Sequence, residues 1–587
     1  MPKCNKHWQI APSVPPSHVK QFPDLHPITI QVLYNRGIVK AADVAAFLDG
    51  GPGELNPFAL PDVTAAVTRL RRALRAREPM AIYGDFDADG VTATVLLVQT
   101  LRALGGEVIP YIPHRVDEGY GLHTSALEQL AHEGVRVVVT VDCGVRSVGE
   151  IEYANSLGLD VIVTDHHSVP SELPPAVAVI DLKRTDPAAT KASTRLQFPF
   201  DQLAGVGVAF KLAQALLRSH GQTPVTDENV RLTEADLLDL VALGSVADMV
   251  PLLGENRSLV SQGLTRLNRM ERPGIEALCR QAGIKPGQVD ASTINYTLAP
   301  RLNAAGRIDH AKLAYQLLET RYPAEAQRLA AELNRLNQER QQITHETQAR
   351  VREFVMRDLD ETCLLFAAAP DFQAGIVGLV ASRIVDEFYR PAVVVEMGPE
   401  FSRGSARSIP EFHITEALDQ CTDLLVRYGG HAAAAGFTVS NDQLDSLEAR
   451  LCQIATEQLV EVELTPVLNV DVEIELAQIS WTLKEELDRL EPCGYANPSP
   501  LFLSRDVRLQ NQRAVGRDGR HLKLALYDGR VSWDAIAFRQ GEWAGKLPDR
   551  VDLVYHLEVN EWNERKSLQL NVQDVRPAGC DENLTTG

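Results

Sequence analysis

The residues best suited to chemistry are aspartates and histidines that fall at the ends of predicted strands. The strand Ala81-Ile82-Tyr83 runs into Gly84-Asp85-Phe86-Asp87-Ala88-Asp89-Gly90, so three carboxylates crowd one turn before a helix expected over Val91 to Leu104. Like charges that close together repel in a partly dry site unless a cation neutralises them, which suggests divalent metal binding. A solvated turn, which aspartate and glycine also favour, is the plainer alternative. A second strand ends in Val141-Asp142-Cys143-Gly144 and a third in Thr164-Asp165-His166-His167. Imidazole beside carboxylates suits Mn²⁺ and related ions better than calcium. A helical run from Leu237 to Leu243 leads into Gly244-Ser245-Val246-Ala247-Asp248 and adds one more acid.

Each of these positions alone reads equally well as structure; their conjunction points to chemistry. Several carboxylates with a histidine and no thiolate suit two hard or borderline ions about 3.5 to 4 Å apart that share a carboxylate. Such a pair activates water against a phosphoester, so no serine or cysteine nucleophile is required.

The elements that must gather these residues alternate strand and helix. Short β-rich runs occur at Met80 to Gly84, Glu107 to Ile112, Val135 to Val141, Val161 to Thr164 and Val177 to Ile180, with helical stretches between them. Uninterrupted apolar runs such as Val137-Val138-Val139 suit strands buried on both faces. The expected architecture is α/β, a doubly wound parallel sheet whose carboxyl ends carry the ligand site. Beyond Asp309 no glycine occurs until Gly375, and Pro323 suits the first position of a long connecting helix. A second α/β unit follows, with strands expected at Cys363 to Ala369 and Ala392 to Met397; from Leu468 onward short strands separated by turns suggest a small β-barrel. The domain boundaries read as 1–77 for an N-terminal cap, 78–308 for the first α/β unit, 309–360 for the helix, 361–462 for the second unit and 463–580 for the barrel.

Composition narrows the class. The 587 residues exceed what one core usually supports, and 45% hydrophobic with 23% charged residues is ordinary for a globular chain. Eight scattered cysteines, at 4, 143, 279, 363, 421, 452, 493 and 580, include no C-x-x-C pair and fit reduced thiols. No long apolar run suggests a membrane span, and the start of the chain lacks a signal-like core, so a cytoplasmic setting is expected. A net charge of -20 argues against bulk attraction to nucleic acid, so any such binding must be local. One local surplus exists: Leu501 to Arg530 carries seven arginines and lysines against three aspartates. It is interleaved with Phe502 and Tyr527 and flanked by Tyr495, Trp533 and Phe538, whose rings serve either as stacking platforms or as barrel core.

Three further segments carry two readings each. Gly205-Val206-Gly207 is either a phosphate cradle or a tight turn for helix packing. Arg301 and Arg307 bracket an expected Asn-Ala-Ala-Gly loop and either grip phosphate or lie on an ordinary surface. Gly429-Gly430-His431 allows close backbone approach to a ligand, while Ala432 to Ala435 could mark only tight helix packing.

In order and spacing, Asp87-Ala88-Asp89-Gly90, Asp142, Asp165-His166-His167 and Asp248 resemble the four motifs of the DHH phosphoesterase family. Gly84 to Gly90, Leu203 to Lys211 and Arg301 to Arg307 resemble that family's single-strand exonuclease branch, and the likeness runs over nearly the whole chain. The resemblance implies two divalent cations, Mn²⁺ or Mg²⁺, held by Asp87, Asp89, Asp142, His166 and Asp248. Asp142 would bridge them, with Asp85, Asp165 and His167 in support. Tyr83 stands where many members carry a histidine ligand, and water or Asp85 is expected to compensate. Ser405-Ala406-Arg407-Ser408 and Gly429-Gly430-His431 look like the family's DHH-associated domain. The resemblance then assigns Ser405 and Arg407 to a terminal phosphate, His431 to the attacked phosphate, and Arg301, Asn303 and Arg307 to substrate. The implied activity is removal of mononucleotides from the 5′ end of single-stranded DNA in repair and recombination. A single-strand DNA-binding protein and repair helicases are the implied partners, and the barrel resembles the branch's OB-fold. A phosphodiesterase for short oligonucleotides or cyclic dinucleotides, and a scaffold without activity, are the competing readings; the extra barrel weighs against the first and the retained acids against the second.

Overall fold

A computed structural model describes residues 6–115, 117–184, 200–226, 229–357, 359, 362–562, 565–579 and 584–586. The chain forms two compact units. One comprises Gly53–Val462 with Gly494–Ala496, and the other comprises Met1–Pro52, Glu463–Cys493 and Asn497–Gly587. Residues 1–77 are therefore divided between the units, the helix Val63–Ala76 falling in the first.

The first unit opens with a five-stranded sheet of β1 (Met80–Gly84), β2 (Val108–Tyr111), β3 (Val137–Val141), β4 (Asp160–Thr164) and β5 (Ala178–Ile180) in the order β2-β1-β3-β4-β5. Every pairing is parallel, as the apolar runs require: β1 and β3 are buried along their whole length. Helix α1 (Ala88–Ala103) follows β1 and is itself almost entirely buried, because α2 (Gly205–Gln222) and α3 (Leu238–Ala247) pack over it. The strands found lie within a residue or two of the expected runs.

Helix α4 (Ala299–Ile308) occupies the stretch expected as an Asn-Ala-Ala-Gly loop. Pro300 sits in its first turn, where the missing N–H has no helical partner to lose, and the alanines favour continuation. Helix α5 (Pro323–Val355) is the long connector, about 50 Å at 1.5 Å per residue, with Pro323 at its start. Leu329, Leu333, Leu336 and Val351 form its buried stripe.

The second sheet has the order β9-β10-β8-β7-β6, with β6 (Leu365–Ala369), β7 (Ala392–Met397), β8 (Phe401–Arg407), β9 (Leu425–His431) and β10 (Ala434–Ser440). Only β6 and β7 run parallel; the remaining pairs are antiparallel. Helix α6 (Ala374–Phe388) packs on β7 and β8. Ala432 and Ala433 make the turn between β9 and β10, so this run serves a hairpin and not helix packing.

The other unit contains the barrel. Strands Phe502–Val515, His521–Tyr527, Ser532–Ala537, Arg565–Pro577 and Arg550–Trp562 pair in that order, and the last returns to pair with the first, which closes the barrel. Phe502 is core, Tyr527 and Trp533 are half-buried, and Phe538 is 48% exposed. Tyr495 is exposed and belongs to the first unit, not to the barrel. Beside the barrel, His7–Ile10 lies parallel to Val467–Val470 and buries Trp8.

Among the described residues no helix is long and apolar enough to cross a membrane. Cys143, Cys279, Cys363, Cys421, Cys452 and Cys493 are free thiols; Cys4 and Cys580 lie outside the described residues.

Candidate metal centre

The first acidic turn is shaped by α1. The Asp87 side chain caps the helix, accepting from Asp89 N and Gly90 N at 3.0 Å each, and Ala88 N donates to Asn303 Oδ1 at 2.7 Å. Gly90 has no substitute here, because a Cβ would lie 2.7 Å from the Asp85 backbone. Asp89 is buried, and its carboxylate accepts from Gly205 N at 2.6 Å and Val206 N at 2.8 Å, the free N–H groups of the first turn of α2. The Gly205-Val206-Gly207 run is thus the tight packing turn and not a phosphate cradle: it is a helix N-terminus that holds a carboxylate of the protein itself, and its glycines leave room for Asp142 and Leu203.

Asp142 follows β3 with φ of +62°, a left-handed conformation uncommon for a residue with a Cβ, and its N–H is tied to Thr164 O at 3.0 Å. A Cβ on Gly205 would fall 2.7 Å from both Cβ and Oδ1 of Asp142, so glycine at 205 gives that side chain its place. His166, after β4, brings Nε2 to 3.0 Å from Asp142 Oδ1, 3.7 Å from Asp248 Oδ2 and 4.0 Å from Asp89 Oδ2. Asp248 caps the C-terminus of α3. Gly244, one turn earlier, is needed because a Cβ would press on Thr92 and Asp89.

Among the described residues three groupings could hold a cation: Asp89, His166 and Asp248; Asp142, His166 and His167; and Asp85, Asp87 and Asp142. Ligand atoms within each group lie within 4.8 Å of one another. Asp142 belongs to two of them, as a bridging carboxylate would. Asp85 Oδ1, Asp142 Oδ1 and His166 Nε2 are buried with no hydrogen-bond partner. Orphaned polar atoms of both types, aimed at common space, fit a cation.

The electrostatics agree. Burial, then the charge of Asp87, pushes Asp89 up to about 7, and burial with Asp89 and Asp87 pushes Asp248 up to about 9. Asp85 and Asp142 are driven well above the carboxylate range by burial and by their acidic neighbours. His166 falls to about 3 through burial and the neighbouring His167, which leaves its imidazole neutral and able to ligate. Asp165 differs. Burial opposes its ionisation, but the His167 ring at 2.8 Å and Val145 N at 2.9 Å hold it below the usual range. It orients His167 and does not face the shared space. Tyr83 is buried, stacks on Tyr111 and donates to Gly121 O, so it faces away from these groupings, whereas Asp85 belongs to one of them.

The chain matches the family models for the DHH family N-terminal domain over residues 79–245, the DHHA1 domain over 361–457 and the RecJ OB domain over 470–574. It is 39% identical over 555 residues to the single-stranded-DNA-specific exonuclease RecJ of Bacillus subtilis, spanning 94% of this chain and 68% of the relative. It is 37% identical to the protein of the same name from Dickeya dadantii, spanning 96% and 98%. The chain belongs to the RecJ family. The crystal structure of RecJ with Mn²⁺ from Thermus thermophilus superposes with a TM-score of 0.81 at 30% identity, over 98% of this chain and 80% of that one.

Beyond the acids, the RecJ-family residues expected at substrate are only partly gathered. Arg407 Nη1 donates to Ser405 Oγ at 3.1 Å on β8, and Gly378 of α6 leaves both side chains their space. Arg307 donates to Gly375 O at 2.9 Å, and burial together with Arg115, Arg340 and Arg407 lowers it to about 9. Arg301 turns elsewhere, to Thr297 O and Asn334 Oδ1. Six residues apart on a helix of about 3.6 residues per turn, the two arginines occupy different faces and do not form the joint grip that a loop would allow. The Asn303 carbonyl is committed to Ala88 N. His431 is exposed at the end of β9, and no contact among the described residues joins it to the acids.

A cavity of about 670 Å³ lies between the loop after β2 and the second sheet, lined by residues that include Arg115, Tyr120, Arg403, Ser405, Arg427 and Gly429. Sequence reasoning missed Arg115, which stacks over Phe86 at 4.6 Å, and Tyr120, whose hydroxyl meets His167 Nδ1 at 3.0 Å. Both follow a strand's carboxyl end, the rule that located Asp142. Asp181 follows β5 in the same way and is buried, with burial raising it to about 7.

Proposed function

We propose that this chain is a metal-dependent exonuclease acting on single-stranded DNA, which it degrades from the 5′ end to mononucleotides with two divalent cations, Mn²⁺ or Mg²⁺, in DNA repair and recombination. The observation that carries the reading is the convergence of Asp89, Asp142 and Asp248 on His166 Nε2, from four separate elements, with buried orphan atoms at its centre. Membership of a family whose relatives are named single-stranded-DNA-specific exonucleases supports the exonuclease and single-strand parts of the reading.

Asp87, Asp89, Asp142, His166 and Asp248 would hold the cations, Asp142 belonging to two of the groupings that could do so. Bound there, the cations lower the pKa of water and offset charge on the attacked phosphate. The N–H groups of Gly205 and Val206 fix Asp89, while Asp165 fixes His167 through its ring nitrogen. Arg407 with Ser405, backed by Arg307, receives a terminal phosphate; guanidinium matches phosphate bidentately. His431 is assigned to the attacked phosphate. The barrel's basic strands and the exposed Phe538 hold the strand behind its end.

The test uses single strands labelled at either end, incubated with Mn²⁺, Mg²⁺ or chelator. Release of labelled mononucleotide first from the 5′ label, abolished by chelator, is expected. Release first from the 3′ label, or comparable digestion of blunt duplex, overturns the substrate and polarity.

A further inference from the structure

The Leu203 to Lys211 segment resembles the family yet only its glycines have been accounted for; Lys211 has not. It lies on α2, five and six residues beyond the N–H groups that hold Asp89, and it is fully buried. Its ammonium pairs with Glu255, also fully buried, and donates to Leu55 O at 2.9 Å and Gln214 Oε1 at 3.0 Å. Glu255 in turn accepts from Leu55 N at 2.8 Å.

Glu255 and Asn256 lie in the first turn of the helix Gly254–Leu267, which the chain enters after Asp248, the left-handed Met249 and the short segment Val250 to Leu253. Asn256, fully buried, donates through one amide nitrogen to Pro251 O at 3.1 Å and Gln202 O at 2.6 Å. The first bond closes the turn that follows Asp248, and the second fastens that turn to the residues that lead into α2. Gly254 rests on the Phe200 ring, where a Cβ would sit at 2.6 Å. Two segments of distant sequence are therefore joined at three places: 200–211, which holds Asp89 and makes room for Asp142, and 248–256, which carries Asp248.

We propose that Lys211, Glu255 and Asn256 form a buried latch that sets the separation between Asp248 and the Asp89–Asp142 pair, and hence the affinity of the cation held between them. They are positioning residues, touching neither cation nor substrate. The latch rests on the reading of Asp89 and Asp248 as ligands. Its physical basis is that carboxylates around a small cation must converge within tenths of an ångström, while Asp248 stands at a helix end, where local bonds alone leave it the most freedom. A buried ion pair and a doubly donating amide restrict that freedom because breaking either leaves an unpaired group out of water.

The test measures Mn²⁺ binding by calorimetry, metal-free thermal midpoint and steady-state kinetics in the full chain carrying Asn256→Ala or Glu255→Gln, with Asp248→Ala alongside. The latch predicts a rise of roughly 10- to 100-fold in the Mn²⁺ dissociation constant of the first two variants, as for other residues that orient ligands. It also predicts recovery of kcat at saturating Mn²⁺ and an unchanged KM for the strand end. A lowered thermal midpoint with Mn²⁺ affinity unchanged overturns the latch and leaves a structural pair. Should Asn256→Ala fail to fold, Glu255→Gln, nearly isosteric, decides the matter alone. Normal Mn²⁺ binding by Asp248→Ala overturns the ligand reading itself, which separates that failure from failure of the latch.

Discussion

His166 Nε2 lies 3.0 Å from Asp142 Oδ1, and neither buried atom has a hydrogen-bond partner. Both spend their polarity on the same small space, although one sits after β4 and the other after β3. Conversion of Asp142 to Asn keeps the volume and removes the charge. Hydrolysis should fall to background, with the thermal midpoint of the metal-free protein unchanged or raised, since one of several opposed carboxyls has gone. Initial rates and a thermal scan check both.

Metal-free protein should lose stability as pH rises. Asp89 and Asp248 have folded values pushed up to about 7 and about 9, above the unfolded value near 3.9. The folded state then binds more protons than the unfolded one, so the stabilisation is complete below about pH 4 and is lost as pH climbs through the folded values. A thermal midpoint that falls between about pH 5 and 9, and a stabilisation by Mn²⁺ that grows over the same range, are expected from linkage. A flat profile would show that these acids are not opposed.

Gly205→Ala tests the close approach of α2 to Asp142. The added Cβ would meet Asp142 Cβ and Oδ1 at 2.7 Å, and neither fixed backbone can yield cheaply. Overpacking of this kind costs about 1–3 kcal/mol, and here the strain falls on a proposed ligand. Activity should drop far more than stability, measured as kcat against the thermal midpoint.

Arg407→Ala should raise KM for strands that end in a 5′-phosphate and leave strands that end in a 5′-hydroxyl nearly unaffected. A hydrogen bond to a charged group contributes about 1.5–3 kcal/mol, or roughly 10- to 100-fold. Equal loss on both ends would remove Arg407 and Ser405 from the terminal-phosphate assignment.

Much of this was legible in the chain, and unevenly. Apolar runs place the parallel strands, and the preference of ligands for carboxyl ends of strands places Asp85, Asp142 and His166 together from the sequence alone. Asp181 obeyed the same rule and was passed over, because no histidine drew attention to it. The Arg301 to Arg307 stretch was misread as a loop: glycine and asparagine suggested a turn, while tertiary packing of Ala304 and Ala305 favoured the helix. Tight packing at Gly205 is legible in the chain, but what it packs against is not. That partner is a side chain sixty-three residues earlier, and only the packing of α2 against the end of β3 reveals it.

Counting bound Mn²⁺ by equilibrium dialysis, in the wild-type chain and in Asp142→Asn, tests the central claim most directly. About two ions per chain are expected for the first, with loss of at least one and of hydrolysis together for the second. Hydrolysis that persists without bound Mn²⁺ or Mg²⁺, or an Asp142→Asn chain that binds both ions and cuts normally, would contradict it.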